Sequence, residues 1–368
     1  MSQWYEIQNA DEIPSPTLLI YPDRIRENLR RLIELVGDVR KLRPHVKTHK
    51  LAQVIAMKLE VGISKFKVST IAEAEMTASA GGGDVMLAYQ PVGPNVSRLV
   101  QLIRTFPSCR FSAVVDNLDS LRIISDAAAK ACVLIPLFID LNVGMNRTGI
   151  APGEAALELY RAIASAPGIV AAGLHAYDGH LHDPDLSNLK LRAEQGFAPV
   201  LAMRETLQRS GFSVPCVVAS GTPTSRFLSK YPEVEVGAGT TVLWDFGQPE
   251  ISPDLNFLNA AVLLARVISK PTQDRICIDV GHKSVASEMV HPRIRFFGLE
   301  NAKAITHSEE HLVLETPDAD QFPVGTVLYG IPRHVCPTVA LHDFAWCVQK
   351  QTAKEIWPIT ARTRCITI

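Results

Sequence analysis

The sequence predicts an α/β protein, with a (β/α)₈ barrel followed by a mainly antiparallel β domain. Between about residues 38 and 240, short β-rich runs alternate with helical patterns, as in repeated βα units. After about residue 244 the runs stay strand-like, and turn residues separate them. A chain of 368 residues also exceeds the size at which a single core stops growing. We therefore expect one large domain and one smaller one.

Eight candidate strands define the predicted barrel. They are residues 41–47, 65–69, 85–89, 111–115, 134–140, 170–175, 216–220 and 234–237. The segments between them have helical patterns, and residues 154–164 carry Glu, Ala and Leu at helical spacing. Eight such units in about 200 residues favour a closed barrel over an open doubly wound sheet.

The predicted β domain contains strands at residues 261–269, 275–280, 311–315, 325–329 and 345–349. Residues 17–21 form a further candidate strand, which we expect to pair into the same domain. The predicted boundaries are therefore residues 22–245 for the barrel, and residues 1–21 with 246–368 for the β domain.

Composition excludes several classes of protein. The chain has 37 Lys and Arg against 38 Asp and Glu without a basic block, which argues against nucleic acid or an anionic membrane surface as the main partner. Its apolar runs are too short to span a membrane, and residues 1–14 do not resemble an export signal. Seven cysteines lack zinc-knuckle spacing. We expect a protein of the reducing cytoplasm.

Residues 42–50, with the sequence LRPHVKTHK, place Lys47 between His45 and His49. Pro44 favours extended backbone before it, and alternate residues of a strand share one face. Burying an unpaired lysine is costly, and a desolvated lysine can form a Schiff base with an aldehyde. The alternative interpretation is a solvated basic strand end.

Polar side chains follow most of the predicted barrel strands, at the end where barrel enzymes have their active sites. They are Lys47, His49, Ser69, Thr70, Tyr89, Gln90, Asp140, Asn142, His175 and Tyr177. Several of these groups can take part in acid–base or anion-binding chemistry, so the sequence predicts an active site there.

Two loops of small and hydroxyl residues follow the seventh and eighth candidate strands. Ser220, Gly221 and Thr222 lie in the first loop, and Gly239 and Thr240 lie in the second. Backbone N–H groups in such loops bind phosphate, and these are the loops where barrels commonly do so. Either loop alone could be a plain turn. A lysine after the first strand together with this phosphate site is the arrangement that pyridoxal phosphate requires.

Six ordered segments resemble the pyridoxal-phosphate enzymes of alanine-racemase-like fold (fold type III), and among them the D-threonine aldolase and D-serine dehydratase group. The resemblance covers nearly the whole chain. The segments are residues 43–50 (RPHVKTHK), 140–149 (DLNVGMNRTG), 175–180 (HAYDGH), 220–224 (SGTPT), 308–311 (SEEH) and 332–338 (PRHVCPT).

The resemblance implies a cofactor role for several barrel residues. Lys47 would form the Schiff base with pyridoxal phosphate, Arg147 would lie near the phenolic oxygen, and Tyr177 would line the pocket. The loops at residues 220–222 and 239–240 would hold the phosphate. A permanently charged, rigid donor such as Arg147 suits an anionic oxygen. Without the surrounding motif, Arg147 would be read as one half of a surface ion pair.

The same resemblance implies that His334 and Cys336 of the β domain hold a divalent metal at the active site. On an extended strand, residues two apart share a face. Two protein ligands leave positions open for substrate, and a thiolate with an imidazole favours zinc over manganese or magnesium. A chance His-x-Cys is the alternative. Glu309, Glu310 and His311 either orient His334 or form a charged turn.

The implied activity is that of a lyase acting on a D-3-hydroxy amino acid. A base on the β-hydroxyl gives retro-aldol cleavage to glycine and an aldehyde, whereas a base on Cα gives dehydration. His180 and His182 favour the aldolase, which we expect. Lys47 is the natural base at Cα, and Cys336 favours the alternative, a D-serine or D-3-hydroxyaspartate dehydratase.

Two further alternatives are less favoured: a racemase is disfavoured by the metal pair, and a non-catalytic pyridoxal-phosphate-binding protein is disfavoured by the β domain. The resemblance also implies a homodimer in which the β domain of one chain covers the barrel mouth of its partner. Covering the mouth would exclude water from the reacting centre.

Overall fold

The protein is described by a computed structural model over residues 3–368. The chain divides into two compact units. The β unit contains the described residues up to Arg30, with Thr48–Leu51 and Thr240–Arg362, and the barrel unit contains Arg31–Lys47, Ala52–Gly239 and Thr363–Ile368. Residues 1 and 2 of the predicted segment 1–21 lie outside the described residues.

The barrel unit is built on a parallel sheet of seven strands, hydrogen-bonded in sequence order. The strands are β2 (Lys65–Val68), β3 (Asp84–Leu87), β4 (Arg110–Val115), β5 (Ile135–Leu141), β6 (Ile169–Ala176), β7 (Val217–Ala219) and β8 (Val234–Val236). The helices between them are α2 (Ala52–Glu60), α3 (Ile71–Ser79), α4 (Pro94–Thr105), α5 (Leu118–Ala131), α6 (Glu154–Ser165), α7 (Leu186–Arg209) and α8 (Ser225–Leu228). The predicted α/β class and these seven strands are confirmed.

Residues 42–45 connect the two edges of this sheet. Leu42 bridges Val236 of β8, and His45 bridges Lys67 of β2, both in parallel orientation. The Arg43 N–H also donates to the Val236 carbonyl at 2.9 Å. The segment therefore occupies the eighth position of the barrel.

A regular strand over residues 41–47 was predicted, and that prediction was wrong. 3₁₀ turns at Val39–Lys41 and Val46–Thr48 flank the two bridges. Pro44 has no N–H to donate to a strand ladder, which limits the pairing. Lys47 therefore lies in a turn, and it does not alternate with the two histidines along one strand face.

Arg43 forms buried ion pairs on both sides of residues 42–45, the seam where the barrel closes. We call these two ion pairs the Arg43 clasp. The Arg43 side chain is 2% exposed, and it lies 2.6 Å from both Asp84 of β3 and Glu235 of β8. A buried guanidinium requires such partners, because burying an unpaired charge is very costly. The clasp thus links the segment at residues 42–45 to strands on both sides of it.

The barrel interior is filled by one inward-facing side chain from each of five successive strands, which is how small barrels pack. These side chains are Met86, Val114, Phe138, Ala172 and Val218. The polar residues of the candidate site follow at and beyond the carboxyl ends of the same strands.

The β unit contains a nine-stranded mixed sheet. Its strands are β1 (Thr17–Ile20), β9 (Ala261–Thr272), β10 (Arg275–Ile278), β11 (Ile294–Phe296), β12 (Lys303–His307), β13 (Leu312–Glu315), β14 (Val327–Pro332), β15 (Phe344–Gln349) and β16 (Thr352–Pro358). Helix α1 (Pro22–Val36) follows β1, and α9 (Gln248–Ile251) and α10 (Val335–Leu341) lie later in the chain.

Strand β1 lies in the middle of this sheet, antiparallel to β9 and parallel to β15. The prediction that residues 17–21 pair into the β domain is therefore confirmed. The predicted strands at residues 261–269, 275–280, 311–315, 325–329 and 345–349 are also found, with shifted ends. Strands β11, β12 and β16 were not predicted.

Within residues 3–368, no helix combines the length and apolar character needed to cross a membrane.

Candidate active site

Three cationic side chains of the barrel unit surround the ring of Tyr177, which comes directly after β6. The ring centroid lies 5.8 Å from Lys47 Nζ, 5.0 Å from Lys67 Nζ and 5.2 Å from Arg147 Cζ. Gly179 is required here, because a Cβ at that position would lie 2.4 Å from the Tyr177 ring. Cation–π contact offsets part of the cost of placing charges together, and the cluster suits an anionic ligand.

Arg147 lies on a loop that is organised by its own side chains. Asn142 Oδ1 accepts hydrogen bonds at 3.1 Å from the N–H groups of Gly144 and Asn146, and Asn146 adopts a left-handed φ of +53°. The structure shows no ion pair for Arg147 among the described residues. Its packing against Tyr177 therefore does not support the interpretation as half of a surface ion pair.

The loop after β7 carries an unsatisfied buried hydroxyl. Ser220 is fully buried at a strained φ of +75°, and its Oγ has no hydrogen-bond partner among the described residues. A buried unsatisfied polar group costs about 1–3 kcal/mol, and such costs concentrate at binding sites. Gly221 N–H donates to Asp178 at 2.6 Å, and Thr222 is 8% exposed. A phosphate oxygen would satisfy the Ser220 hydroxyl, so this loop fits the predicted cofactor.

The loop after β8 is also compact. Gly239 is buried at the end of the barrel unit, and Thr240 begins a 3₁₀ turn, Thr240–Val242, in the β unit. Sequence reasoning placed both residues at the phosphate. The structure shows small buried backbone there, which leaves room for close approach of a ligand.

A buried polar cluster lies at the carboxyl ends of β5 and β6. His175 is hydrogen-bonded through Nδ1 to Asp140 at 2.6 Å, and its buried Nε2 has no partner among the described residues. Burial opposes ionisation of Asp140, but the hydrogen bond and charge of His175 hold its pKa below the ordinary value. Burial and the charge of Lys67 lower the pKa of His175. The imidazole is therefore neutral and offers a bare nitrogen.

Lys67 was missed by the sequence reasoning. It lies within β2, is 3% exposed, and burial together with the charge of Lys47 lowers its pKa to about 7. The signal that could have revealed it is a second lysine inside a short strand whose other side chains after Lys65 are apolar. Lys65 lies two residues earlier in the same strand, so the local pattern alone does not distinguish the two lysines.

The structure separates the two candidate histidines. His180 is half-buried, with its Nε2 at 2.9 Å from the position that a Cβ on Gly144 would take, so it packs against the loop of Arg147. Its Nδ1 is buried without a hydrogen-bond partner in the described chain, and burial lowers its pKa. His182 is exposed.

The metal pair lies in the β unit, and its predicted backbone was wrong. Strand β14 ends at Pro332, so His334 is the N-cap of α10 and Cys336 lies in the first turn of that helix. Cys336 Sγ is 3.3 Å from Thr48 Oγ1. Although the two side chains do not share a strand face, the extended backbone of His334 (φ −131°, ψ 102°) still allows the imidazole and the thiol to interact.

His334 is surrounded by acidic groups. Its Nδ1 lies 2.5 Å from Glu288, and Asp245 accepts a hydrogen bond from the backbone of the next residue at 2.8 Å. Burial disfavours the charged imidazole, but Cys336, Glu288 and Asp245 outweigh it and raise the pKa of His334 to about 9. A cation is therefore favoured here, and an imidazole held through Nδ1 by a carboxylate is a common arrangement of metal ligands. The donor set fits a divalent ion.

Glu288 was not predicted, and the residues proposed to orient His334 lie elsewhere. Glu309 and Glu310 are exposed and pair with Lys283 at 2.5 and 3.3 Å. They form the charged turn before β13. Residues 3–368 contain no cluster of three or more His, Cys, Asp or Glu side chains placed to hold a metal.

Comparison with known proteins identifies two matching families. The alanine racemase N-terminal domain family matches residues 20–243, and the serine dehydratase domain family matches residues 260–348. The first match covers most of the barrel, and the second covers most of the sheet of the β unit.

Curated relatives extend over nearly the whole chain. D-threonine aldolase of Arthrobacter sp is 31% identical over 358 residues, which cover 95% of this chain and 93% of the relative. D-threo-3-hydroxyaspartate dehydratase of Delftia sp. (strain HT23) is 26% identical, with 89% of this chain and 92% of the relative covered. The crystal structure of D-threonine aldolase from Filomicrobium marinum superposes with a TM-score of 0.89 at 27% identity, covering 98% of this chain and 99% of that one.

These matches agree with the barrel, the mixed β sheet and the cluster of cofactor-type groups around Tyr177. The chain therefore belongs to the pyridoxal-phosphate-dependent lyases of alanine-racemase-like fold, in the family that includes D-threonine aldolase.

Proposed function

We propose that this protein is a D-threonine aldolase, which cleaves D-3-hydroxy amino acids to glycine and an aldehyde. Half-buried His180 beside the Arg147 loop is the observation that carries the proposal. The identity of 31% to an aldolase over 95% of the chain supports it.

Pyridoxal phosphate, when bound, supplies the electron sink for the bond that breaks at Cα. Lys47 would hold the cofactor covalently, and Ser220, Gly221 and Thr222, with Gly239 and Thr240, would bind its phosphate. Arg147 would lie at the phenolic oxygen and Tyr177 against the ring. The unsatisfied Ser220 hydroxyl and the three cations around Tyr177 support these roles.

His180 would remove the proton of the substrate β-hydroxyl, which starts retro-aldol cleavage. A general base must be unprotonated at the working pH and must have a free nitrogen. Burial lowers the pKa of His180, and its Nδ1 has no partner among the described residues. Exposed His182 has neither the burial nor the packing against Gly144, so we assign the base to His180.

His334 and Cys336 would hold a divalent ion, which would polarise the β-hydroxyl oxygen. A thiolate and an imidazole favour zinc, with manganese or magnesium as the alternatives. The hydrogen bond that His334 Nδ1 donates to Glu288 leaves Nε2 of His334 available as the ligand atom.

A dehydratase that acts on D-serine or D-3-hydroxyaspartate is the second candidate, and Cys336 is the observation that favours it. A D-threo-3-hydroxyaspartate dehydratase of 23% identity has been solved as a cysteine-to-alanine variant in the metal-free form. At this identity, the likeness shows the shared fold alone. In this route, Lys47 would take the Cα proton.

The deciding experiment incubates the protein with D-threonine and with D-serine, with and without a chelator. Glycine and acetaldehyde support the aldolase, whereas a keto acid and ammonia support the dehydratase. We expect His180→Asn to lower aldol cleavage by roughly 10²–10⁴-fold, the usual contribution of a general base. His182→Asn is the matched control and should stay near wild type. An active His180→Asn variant would remove the basis of the proposal.

We also infer a cytoplasmic homodimer whose sites combine Lys47 of one chain with the metal pair of its partner. Subunit exchange between Lys47→Ala and His334→Ala chains tests this arrangement. One site of each mixed dimer would contain both intact parts, so activity should recover. Demonstrated exchange without recovery would mean that each chain supplies its own metal.

A further inference from the structure

Asp116 is a polar residue of the barrel unit that the proposed chemistry does not use. It is the first residue after β4, and its Oδ2 accepts a hydrogen bond at 3.0 Å from the backbone N–H of Gly149. Gly149 comes two residues after Arg147 but 33 residues after Asp116. This contact therefore connects the loop that carries Arg147 to a distant part of the chain.

Two backbone hydrogen bonds close the base of the Arg147 loop. Ile150 N–H donates to the Asp140 carbonyl at 3.0 Å, and the Ile150 carbonyl accepts from the Asn142 N–H at 2.9 Å. These bonds hold the loop to its own strand, β5. The hydrogen bond to Asp116 differs, because it ties the returning half of the loop to the neighbouring strand, β4.

Gly149 is required where the loop meets Asp116. Its φ is +95°, and a Cβ there would lie 2.7 Å from the backbone nitrogen of Asn142 and 2.8 Å from the carbonyl carbon of Leu141. A left-handed φ combined with such close backbone approach is possible for glycine alone. The Gly149 peptide therefore lies against the end of β5, where its N–H reaches the Asp116 carboxylate.

Gln90, the third residue after β3, holds Asp116 in turn. Its Oε1 accepts a hydrogen bond at 2.8 Å from the backbone N–H of Asp116. The second carboxylate oxygen of Asp116, Oδ1, accepts from Asn117 Nδ2 at 2.8 Å, so Oδ2 remains for Gly149. Residues at the ends of three consecutive strands thus form one hydrogen-bond network, which ends two residues from Arg147.

We propose that Asp116, held by Gln90, is a positioning residue that fixes Arg147 at the phenolic oxygen of pyridoxal phosphate. This inference rests on the proposed function. A loop tied at both halves allows its arginine fewer backbone arrangements than a loop tied only at its base. A guanidinium that is fixed in advance stabilises an anionic oxygen without having to reorganise when the charge forms. Asp116 acts through its hydrogen bond to the loop and not through its own charge.

The test measures the pH midpoint of the visible absorbance of the cofactor-loaded protein. A cation beside the phenolic oxygen favours its anionic form, so displacing Arg147 should raise the midpoint. We expect Asp116→Ala to raise it, by less than Arg147→Gln does. Loss of a carboxylate that acted directly by its charge would lower the midpoint instead. Asp116→Asn keeps an oxygen acceptor for Gly149 N–H, so its midpoint should stay near wild type.

A double-mutant cycle shows whether the effect passes through Arg147. In an Arg147→Gln background, Asp116→Ala should cause no further shift, because the guanidinium that it positions is gone. Asp119→Ala is the matched control. It removes an exposed carboxylate of α5 that pairs with Arg122 at 3.0 Å, and it should leave the midpoint unchanged.

An unchanged or lowered midpoint in Asp116→Ala, or an equal shift in both backgrounds, would overturn the inference. If Asp116→Ala does not fold, Gln90→Ala decides. It removes no charge and should raise the midpoint by a smaller amount, and an unchanged midpoint is contrary. If Arg147→Gln itself leaves the midpoint unchanged, the inference fails together with the place of Arg147 in the proposed function.

Discussion

The barrel site and the metal pair differ in how their polar groups are satisfied. In the barrel, Ser220 Oγ and His175 Nε2 are buried without hydrogen-bond partners in the described chain, and Lys67 is a buried cation without an ion pair. In the β unit, half-buried His334 already has Glu288 at 2.5 Å. A buried polar group without a partner destabilises the protein until a ligand binds it. A group that already has a partner is not destabilised when the ligand is absent. We therefore expect the barrel site to depend on its cofactor for stability and the metal pair to exchange its ion easily.

The largest expected effect is that of Lys47→Ala, because no other group replaces a covalent attachment. This variant should lose turnover completely, together with the cofactor adduct that borohydride fixes to the protein. Peptide mapping after reduction measures the adduct. Lys50→Arg is the control for a nearby lysine, and an adduct found on Lys50 in the wild type would refute the assignment.

His334→Ala tests the metal pair of the β unit. Loss of an imidazole ligand should lower metal content and activity together, while the absorbance of bound pyridoxal phosphate remains, since Lys47, Arg147 and Tyr177 belong to the barrel unit. Elemental analysis and visible spectroscopy of the same sample measure both properties. Full activity in metal-free protein would show that the pair has no catalytic ion.

Glu288→Gln has the smallest expected effect, because it changes a residue that acts only through His334. Loss of the carboxylate should weaken metal affinity by roughly 10–100-fold, the usual range for partners of metal ligands. Metal titration of the cofactor-loaded protein measures this change. Glu309→Gln, in the exposed charged turn, should have no effect, and equal losses in the two variants would point to general electrostatics.

Local sequence pattern was enough to predict the barrel strands and the central strand β1, because buried strands carry β-branched runs at regular spacing. The segment around Pro44 was predicted less well, since pairing there depends on one proline and on strands distant in sequence. His334 was expected on a strand, but α10 begins one residue later. Sequence pattern does not show where a strand gives way to a short helix.

Contacts between residues far apart in sequence explain the remaining misses. Glu288 contacts His334 across 46 residues, and nothing near Glu288 in the chain marks it as a partner. Lys67 was not singled out from the sequence, because its burial depends on the closure of the barrel around it. The motif residues Arg147 and Tyr177, by contrast, lie within recognisable local sequences.

The Arg43 clasp limits when the barrel can close during synthesis of the chain. Arg43 meets Glu235 across 192 residues of sequence, so the seam can close only after β8 has been synthesised. Until then the segment at residues 42–45 has an open edge on the side that β8 will occupy, and such an edge is a template for pairing with another chain. Long-range closure of this kind is slow. During synthesis, the nascent barrel therefore depends on protection from its neighbours until its last strand emerges.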